Sequence, residues 1–324
     1  MGEITIRRGR FAPTPSGHMH LGNAMTALLV WLQMRSCKGT VILRIEDLDQ
    51  ARAKEAYRTM ILEDLQWLGL DFDEGPEIGG AFSPYVQSLR SDSYERALEK
   101  LQNKGLLYPC FCSRADLASL GHAPHGLASE GAAYPGTCSA LSQSEIAQRR
   151  QIKTPSWRFR LPITKTVWRD GGVGVCHYDA NFGGDFIVRR ADGVISYQLA
   201  VVVDDAAMAI TDVLRGRDLV DSTPRQLALS EALELPVPRF THVPLVIAHD
   251  GQRLAKRDHA LSLGALRAKK ISAEAVIGCL AQICGLQPDC TPVKAQDLIP
   301  LYNKIDFRQN AWRMSEAVVR RLSL

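Results

Sequence analysis

The segment RFAPTPSGHMHLGNAMTALLV, residues 10–30, places a stiff turn directly before an apolar helix. Two prolines restrict the turn, two glycines open it, and apolar residues recur at helical spacing from Asn23 to Met34. A helix N-terminus has unpaired N–H groups and about half a unit of positive charge, so it attracts anions. The turn therefore predicts a phosphate site, where Gly22 admits a phosphate and His20 donates to it. The residues equally allow a turn whose histidines only cap the helix.

Strand, helix, strand and helix follow one another around this turn. ITIRRGRFAP (4–13) and TVILRIED (40–47) have the β-branched composition of strands, and a second helix is predicted between Ala51 and Leu70. This order is typical of a parallel sheet covered by helices. Ligands of such sheets bind at the carboxyl ends of the strands, where Pro13–Asn23 and Glu46–Asp49 lie.

Length and composition restrict the class of protein. The chain has 324 residues, of which 46% are apolar, so it can bury the core of one large domain or of two. It contains neither an apolar run of membrane-spanning length nor a signal-peptide pattern, which predicts a cytoplasmic protein without a membrane partner. Eight cysteines are too few for a disulfide scaffold.

A strand-rich region is predicted from 157 to 203, with VVVDDAAMAI (201–210) continuing as sheet and helix.

Two basic segments favour a polyanionic partner. From Ser262 onward the chain has nine Lys or Arg and five Asp or Glu, a net charge of +4, and helices are predicted there. In HVPLVIAHDGQRLAKRD (242–258) a strand and a DG turn precede Arg253, Lys256 and Arg257. Such a mobile basic loop can close over a triphosphate. A solvated charged surface remains the alternative for both segments.

Collinear sequence words resemble one enzyme family. HLGN (20–23) and RLAKR (253–257) resemble the two ATP signatures of class I aminoacyl-tRNA synthetases. Eight further words resemble the glutamyl branch: RFAPTPSG, RIEDLDQAR, DFDEGP, SPYVQS, GLLYPCFCSR, DFIVRRADGVISYQLAVVVDD, VLRGRDLVDSTPRQ and THVPL. Two residues depart from the usual signatures. Asn23 stands where many members have His or Gly, and Ala255 stands where Ser is common.

The resemblance implies an α/β fold: a Rossmann-like class I synthetase core with an inserted zinc-bearing subdomain and a short helical C-terminal segment. The expected divisions are 1–105 and 191–258 for the two halves of the catalytic domain, 106–190 for the insertion and 259–324 for the tail. Full-length glutamyl-tRNA synthetases continue into a helical domain that reads the anticodon. Only 66 residues follow Asp258, so the chain resembles the shortened family of glutamyl-Q tRNA(Asp) synthetases.

That family implies substrates and site residues. Glutamate is activated with ATP and attached to queuosine at the wobble position of tRNA(Asp), by a protein expected to be monomeric. The expected glutamate-binding residues are Arg10, Ala12, Thr14, Glu46, Tyr197 and Arg215. The expected ATP-binding residues are Pro13, His20, Gly22, Asn23, Arg253 and Lys256. His20 and Lys256, with Mg²⁺, would stabilise the transferring phosphate, and no general base for the second step is identified.

A zinc site is expected from the Cys-x-Cys and Tyr-x3-Cys spacing that the family shares. Its ligands would be Cys110, Cys112, Tyr134 and Cys138, a set suited to a four-coordinate structural zinc. His122 or His125 could replace the phenol oxygen, and a group of buried thiols around a turn is the alternative. Two other functions stay open: a truncated glutamyl-tRNA synthetase that charges the 3′ end of tRNA(Glu), and an inactive zinc-stabilised RNA-binding paralogue.

Overall fold

The parallel sheet expected from the opening of the chain is present in the computed structural model. The structure describes residues 6–113, 115–116, 134–162, 165–178, 183–252 and 262–322. The strands are β1 Arg8–Phe11, β2 Thr40–Leu43, β3 Leu107–Cys110, β4 Ser156–Phe159, β5 Thr166–Asp170, β6 Gly174–Tyr178, β7 Phe186–Arg189, β8 Asp212–Gly216, β9 Arg239–Val243, β10 Leu245–Ile247 and β11 Ala311–Arg313. The α-helices are α1 Leu21–Ser36, α2 Glu55–Trp67, α3 Ser91–Asn103, α4 Gln143–Ile152, α5 Tyr197–Ala207, α6 Thr223–Leu233, α7 Leu263–Ala268, α8 Ala273–Ile283 and α9 Glu316–Arg321. Turns of 3-10 helix lie at Gln87–Leu89, Arg217–Ser222 and Ala295–Lys304.

The central sheet has the strand order β2-β1-β8-β9, and all three pairings are parallel. β1 and β2 pair from Arg8 with Thr40 to Phe11 with Leu43, as the sequence order predicts. The sheet brings together two distant parts of the chain, because more than 160 residues separate the end of β2 from the start of β8. The carboxyl ends of its strands therefore gather residues that are far apart in the chain.

Helix α1 is buried on nearly all sides. It lies against β1 on one side and against the 3-10 turn Ala295–Lys304 of the C-terminal segment on another. Its side chains share one apolar cluster with those of α8, including Val276 and Leu280. The C-terminal segment thus completes the core around α1, and burial of this apolar surface stabilises the position of the helix that begins at the predicted phosphate turn.

The strands described between residues 107 and 189 pair in the antiparallel sense. Strands β3, β4 and β7 form one sheet in that order, and β5 and β6 pair as a hairpin. Tyr108, Cys110 and Phe111 pack with Tyr134 and Cys138 in a small cluster beside β3. These elements fall within the expected insertion at 106–190, although the three boundaries between the expected segments stay predictions.

One sequence prediction needs correction, and another is confirmed but incomplete. Residues 201–203, predicted to continue the strand-rich region, lie in helix α5. The helix is buried from Gln198 to Asp205, so its apolar residues lack the one-sided pattern by which helices are recognised. The tail contains a strand besides its helices, because β11 pairs in parallel with β10. None of the helices in the described ranges combines the length and apolar character that a membrane span requires.

Candidate active site and cysteine cluster

A cavity of about 550 Å³ opens at the carboxyl ends of β1, β2 and β8. This volume is in the range of small-molecule sites. Ten of the residues predicted to bind glutamate or ATP line it: Arg10, Ala12, Pro13, Thr14, His20, Gly22, Asn23, Glu46, Tyr197 and Arg215. Arg253 and Lys256, the other two, lie outside the described residues. The structure thus brings together side chains from five separate parts of the sequence.

His20 is the N-cap of α1. Its Nδ1 accepts the backbone N–H groups of Gly22 at 3.1 Å and of Asn23 at 3.3 Å, so two of the exposed donors of the helix are satisfied. The neutral ring consequently carries its proton on Nε2. His20 therefore caps the helix, as the capping interpretation expects, and a contact with phosphate would be made by Nε2–H.

Gly22 and Asn23 both support the conformation of His20, a role that the sequence did not reveal. The helix begins at Leu21, so Gly22 lies in its first turn rather than before it. A Cβ at Gly22 would lie 3.0 Å from Cε1 of His20, so glycine gives the imidazole room to fold over the turn. Asn23 Oδ1 accepts the backbone N–H of His20 at 3.3 Å, which completes a capping box. The residue that departs from the family signature therefore supports the turn.

Arg215, at the end of β8, is a buried guanidinium whose hydrogen-bond partners among the described residues are all neutral. It donates to Nε2 of His242 at 2.9 Å, to Oγ1 of Thr223 at 3.0 Å and to the hydroxyl of Tyr197 at 3.4 Å. Within the described ranges no carboxylate bonds to it. Burial lowers its pKa, and the nearby charge of Arg10 lowers it further. Arg215 thus presents to the cavity a positive charge to which no carboxylate of the described residues is bonded, as an anionic ligand needs.

A buried network of charges lies behind this cavity. Three guanidinium groups and three carboxylates share it: Arg10, Arg44, Arg90, Glu46, Asp204 and Asp205. Asp205 accepts from Nε of Arg10 at 3.1 Å and from Arg44 at 2.7 Å, and Arg44 also donates to a carboxylate oxygen of Glu46 at 3.1 Å. The numbers of positive and negative groups are equal, which is the condition under which buried charges are tolerated.

Asp204 joins the network to α3. It accepts from Nε of Arg90 at 2.6 Å and from the hydroxyl of Tyr94 and Nε2 of Gln87 at 2.8 Å each. The sequence analysis did not assign roles to Arg44, Arg90, Asp204 or Asp205. For Arg44, Asp204 and Asp205 the signal was the position of charged residues inside apolar words, RIED and VVVDD, since a charge in a buried strand or helix requires a partner. Arg90 lies in no such word.

Glu46 is the network carboxylate that also lines the cavity. Burial raises its pKa, against the opposing charges of Arg44 and Arg10. Its backbone N–H donates to the carbonyl of Pro13 at 3.0 Å, which ties the end of β2 to the opening turn. An ammonium group bound in the cavity would stabilise the ionised form of Glu46.

The segment that contains Lys256 ends beside the phosphate turn. Ser262, the first described residue after it, forms a bridge with His20. Next to it, the N–H of Leu263 donates to the carbonyl of Met19 at 2.9 Å. Lys256 is therefore six positions from a residue that is fixed at the mouth of the cavity.

The predicted zinc ligands form a compact cluster. The three Sγ atoms of Cys110, Cys112 and Cys138 lie within 4.8 Å of one another. The hydroxyl of Tyr134 lies 3.4 Å from Sγ of Cys110 and 3.8 Å from Sγ of Cys112. Burial raises the pKa of Cys112 to about 11, and the neighbouring thiols add to this effect. Three thiols and a phenol hydroxyl gathered this closely are compatible with a metal site.

The chain is similar to known proteins along nearly its whole length. A family model described as tRNA synthetases class I (E and Q), catalytic domain, matches residues 7–304. A protein of Symbiobacterium thermophilum named glutamyl-Q tRNA(Asp) synthetase is 52% identical over 97% of this chain and 98% of its own. A protein of the same name from Nitratidesulfovibrio vulgaris is 46% identical over 91% of both chains.

The fold also agrees with a solved structure. The crystal structure of glutamate-tRNA synthetase from Elizabethkingia anophelis superposes with a TM-score of 0.83 at 27% identity, over 98% of this chain and 70% of that chain. The expected class I catalytic fold is therefore confirmed. The family match and the two relatives together show that the chain belongs to the class I tRNA synthetases, within the family of glutamyl-Q tRNA(Asp) synthetases.

Proposed function

We propose that this protein activates L-glutamate with ATP and transfers it to the queuosine base at the wobble position of tRNA(Asp). The observation that carries the proposal is Arg215, a buried guanidinium with neutral partners that lines the same cavity as the N-terminus of α1. A cation without a bound carboxylate suits the amino acid, and a helix N-terminus suits the triphosphate. The names of the two relatives identify tRNA(Asp) as the acceptor in those proteins.

Glutamate fits the charges of the cavity. It has two carboxylates and one ammonium, and the cavity wall offers Arg10 and Arg215 as cations and Glu46 as an anion. Nε of Arg10 is held by Asp205, whereas its two terminal nitrogens form no hydrogen bond within the described part of the chain. Arg10 can thus pair with a carboxylate through the planar fork of its terminal N–H groups. Each terminal nitrogen of Arg215 donates one N–H to Tyr197 or Thr223 and has a second N–H to offer a carboxylate. Tyr197 supports Arg215 through its hydroxyl, and Ala12 and Thr14 close the pocket.

The opening turn is the proposed site of ATP. The N-terminus of α1 favours its phosphates, and Nε2–H of His20 can donate to a phosphate oxygen as charge develops. Lys256 and Arg253 belong to the segment that ends at Ser262 beside His20, which supports a role in neutralising the triphosphate. Mg²⁺, which class I synthetases are expected to use, would supply further charge neutralisation when bound with ATP.

The reaction has two steps. In the first, an oxygen of the glutamate α-carboxylate attacks the α-phosphorus of ATP, the P–O bond to the β-phosphate breaks, and pyrophosphate leaves. In the second, a hydroxyl of the queuosine cyclopentenediol attacks the carbonyl of the mixed anhydride, and AMP leaves. No protein nucleophile is required, because positioning and charge neutralisation lower the first barrier.

A structural zinc ion fits the cysteine cluster. Ligands at about 2.3 Å from zinc at two corners of a tetrahedron are about 3.8 Å apart. Sγ of Cys112 lies 3.7 Å from Sγ of Cys138, and the hydroxyl of Tyr134 lies at comparable distances from two of the thiols. We therefore propose Cys110, Cys112, Tyr134 and Cys138 as the ligands. His122 and His125, the alternative fourth ligands, lie outside the described residues.

The acceptor is tested with two preparations of tRNA(Asp), one with queuosine and one with unmodified guanosine at the wobble position. Each is incubated with ATP and radiolabelled glutamate, and acid-precipitable label is counted. The proposal expects label only in the queuosine-containing tRNA. Equal labelling of both preparations, or labelling of tRNA(Glu) alone, would assign the protein to 3′-end charging instead.

A further inference from the structure

The turn between β5 and β6 contacts a residue that bonds to Arg215. Asp170, the last residue of β5, binds His242 of β9 twice. Its Oδ2 lies 2.6 Å from Nδ1 of the imidazole, and its Oδ1 accepts the backbone N–H of His242 at 3.0 Å. On the other side of the ring, Nε of Arg215 donates to Nε2 at 2.9 Å. All three side chains are buried, so a continuous chain of carboxylate, imidazole and guanidinium joins the hairpin to the cavity.

The arginine determines where the imidazole carries its proton. A guanidinium is only a donor, so Nε2 of His242 accepts and the proton of the neutral ring lies on Nδ1. Asp170 accepts that proton. Burial and the charge of Arg215 lower the pKa of His242 against the opposing effect of Asp170, which keeps the ring neutral at pH 7.

The hairpin turn is closely fitted to β9. The N–H of Gly171 donates to the carbonyl of Phe240 at 2.9 Å. A Cβ at Gly172 would lie only 2.0 Å from the carbonyl oxygen of His242, so only glycine fits between the turn and β9 in this arrangement. Oδ1 of Asp170 also accepts the N–H of Gly172 at 2.9 Å. The carboxylate is therefore fixed relative to the imidazole by backbone contacts of its own turn.

We infer that Asp170 and His242 are positioning residues of the glutamate site: the carboxylate fixes the tautomer of the imidazole, and the imidazole orients the guanidinium of Arg215 toward the substrate. The neutral ring separates Asp170 from Arg215, so the arginine is held without a carboxylate bound to it. Its charge remains available for glutamate. This inference rests on the proposed role of Arg215 in glutamate binding and extends the site to a hairpin outside the parallel sheet.

The direct test is Asp170→Asn. The new amide can donate to Nδ1, which would move the ring proton to Nε2 and set it against the N–H of Arg215. We expect the KM for glutamate in glutamate-dependent pyrophosphate exchange to rise about tenfold, the size of a lost charge-assisted hydrogen bond, while the KM for ATP changes less than about twofold. An unchanged KM for glutamate, or equal losses for both substrates, would overturn the positioning role.

Tyr178→Phe is the matched control in the same hairpin. The hydroxyl of Tyr178 bonds to Asp221, so this variant also removes a contact between the hairpin and the catalytic region, but one that does not involve His242. We expect its KM for glutamate to stay within about twofold of the wild-type value. If both variants raise this KM equally, the hairpin acts only as a scaffold and the inference fails.

Two further measurements separate this inference from the proposed function. Nitrogen NMR of the substrate-free protein is expected to show His242 protonated on Nδ1, and His242→Gln identifies its signals. Protonation on Nε2 would overturn the inference.

In the His242→Gln background, Asp170→Asn should change the KM for glutamate by less than about twofold, because the two residues act in one chain. A full tenfold effect in that background would contradict the inference. Absence of all glutamate-dependent exchange in the wild-type protein would refute the proposed function, and this role with it.

Discussion

Arg215 is the residue on which the proposed glutamate site most depends, because it brings a buried charge that no described carboxylate neutralises. Arg215→Lys keeps the charge and removes the planar fork. We expect kcat/KM for glutamate to fall about 100-fold in pyrophosphate exchange, as two directional hydrogen bonds are lost. Arg239→Lys is the control, because Arg239 is an exposed residue at the start of β9. Its kcat/KM for glutamate should stay near the wild-type value. A near-normal kcat/KM for Arg215→Lys would place glutamate elsewhere.

Asn23 is predicted to act on stability through the capping box. Asn23→Ala removes the acceptor of the His20 N–H and should lower the free energy of unfolding by about 1 kcal/mol in denaturant titration. Asn23→Asp keeps an acceptor and should retain stability. Its negative charge lies at the N-terminus of α1, where the triphosphate is proposed to bind, so its KM for ATP should rise. If Asn23→Ala is as stable as wild type, the capping box contributes nothing.

Asp170 is expected to make the free energy of unfolding depend on pH. Burial alone would raise its pKa, but hydrogen bonds from His242 and from the backbone lower it to about 2, below its ordinary value of 3.8. A carboxyl group whose pKa is lower in the folded state stabilises the fold above its unfolded pKa, and this contribution is lost as the pH falls from about 4 to about 2. Across that window the wild-type protein should lose about 2 kcal/mol of unfolding free energy that Asp170→Asn does not lose. Parallel pH profiles for the two proteins would contradict this.

At the scale of elements, the β5–β6 turn is expected to tolerate no side chain at Gly172. Gly172→Ala should displace the hairpin from β9, because its Cβ would lie 2.0 Å from a backbone oxygen. We expect a loss of about 2 kcal/mol of unfolding free energy together with a raised KM for glutamate. Gly264→Ala is the control: it lies in α7 with nothing within 4 Å of the added Cβ and should be neutral or slightly stabilising. Equal stability of both variants would show that the turn can move.

The cysteine cluster should hold β3 to the segment that follows it. Metal analysis is expected to find about one zinc per chain, and chelation should lower the midpoint of thermal unfolding. Cys112→Ser should reduce the zinc content, whereas Cys176→Ser, a buried thiol of β6 outside the cluster, should not. Unchanged zinc in Cys112→Ser, or a wild-type protein without zinc, would remove the site.

At the scale of the whole molecule, the sequence predicted the features that are local. The helix after the phosphate turn, the parallel pairing of β1 with β2, and the Cys-x-Cys pair each depend on residues that are close together in the chain. Recognition of collinear words then supplied the distant members of the cavity, such as Tyr197 and Arg215. Without those words, nothing in composition or spacing would have joined β8 to the opening turn.

The remaining features depend on contacts between distant residues. Asp170 and His242 are 72 positions apart, and neither lies in a pattern that indicates a shared role. The helical state of residues 201–203 was missed because burial on several sides removes the amphipathic signal and favours β-branched residues in either structure. Strand β11 is too short to be recognised without β10 beside it. In each case tertiary packing decides what local sequence leaves open.

The central claim is that glutamate is joined to the queuosine base, and mass analysis of nucleosides tests it most directly. Queuosine-containing tRNA(Asp) is incubated with the protein, ATP and glutamate, and then digested to nucleosides at mild pH. The account predicts that queuosine is replaced by a species heavier by one glutamyl group, and that omission of ATP prevents this. Unmodified queuosine together with a glutamylated 3′-terminal adenosine would contradict the account.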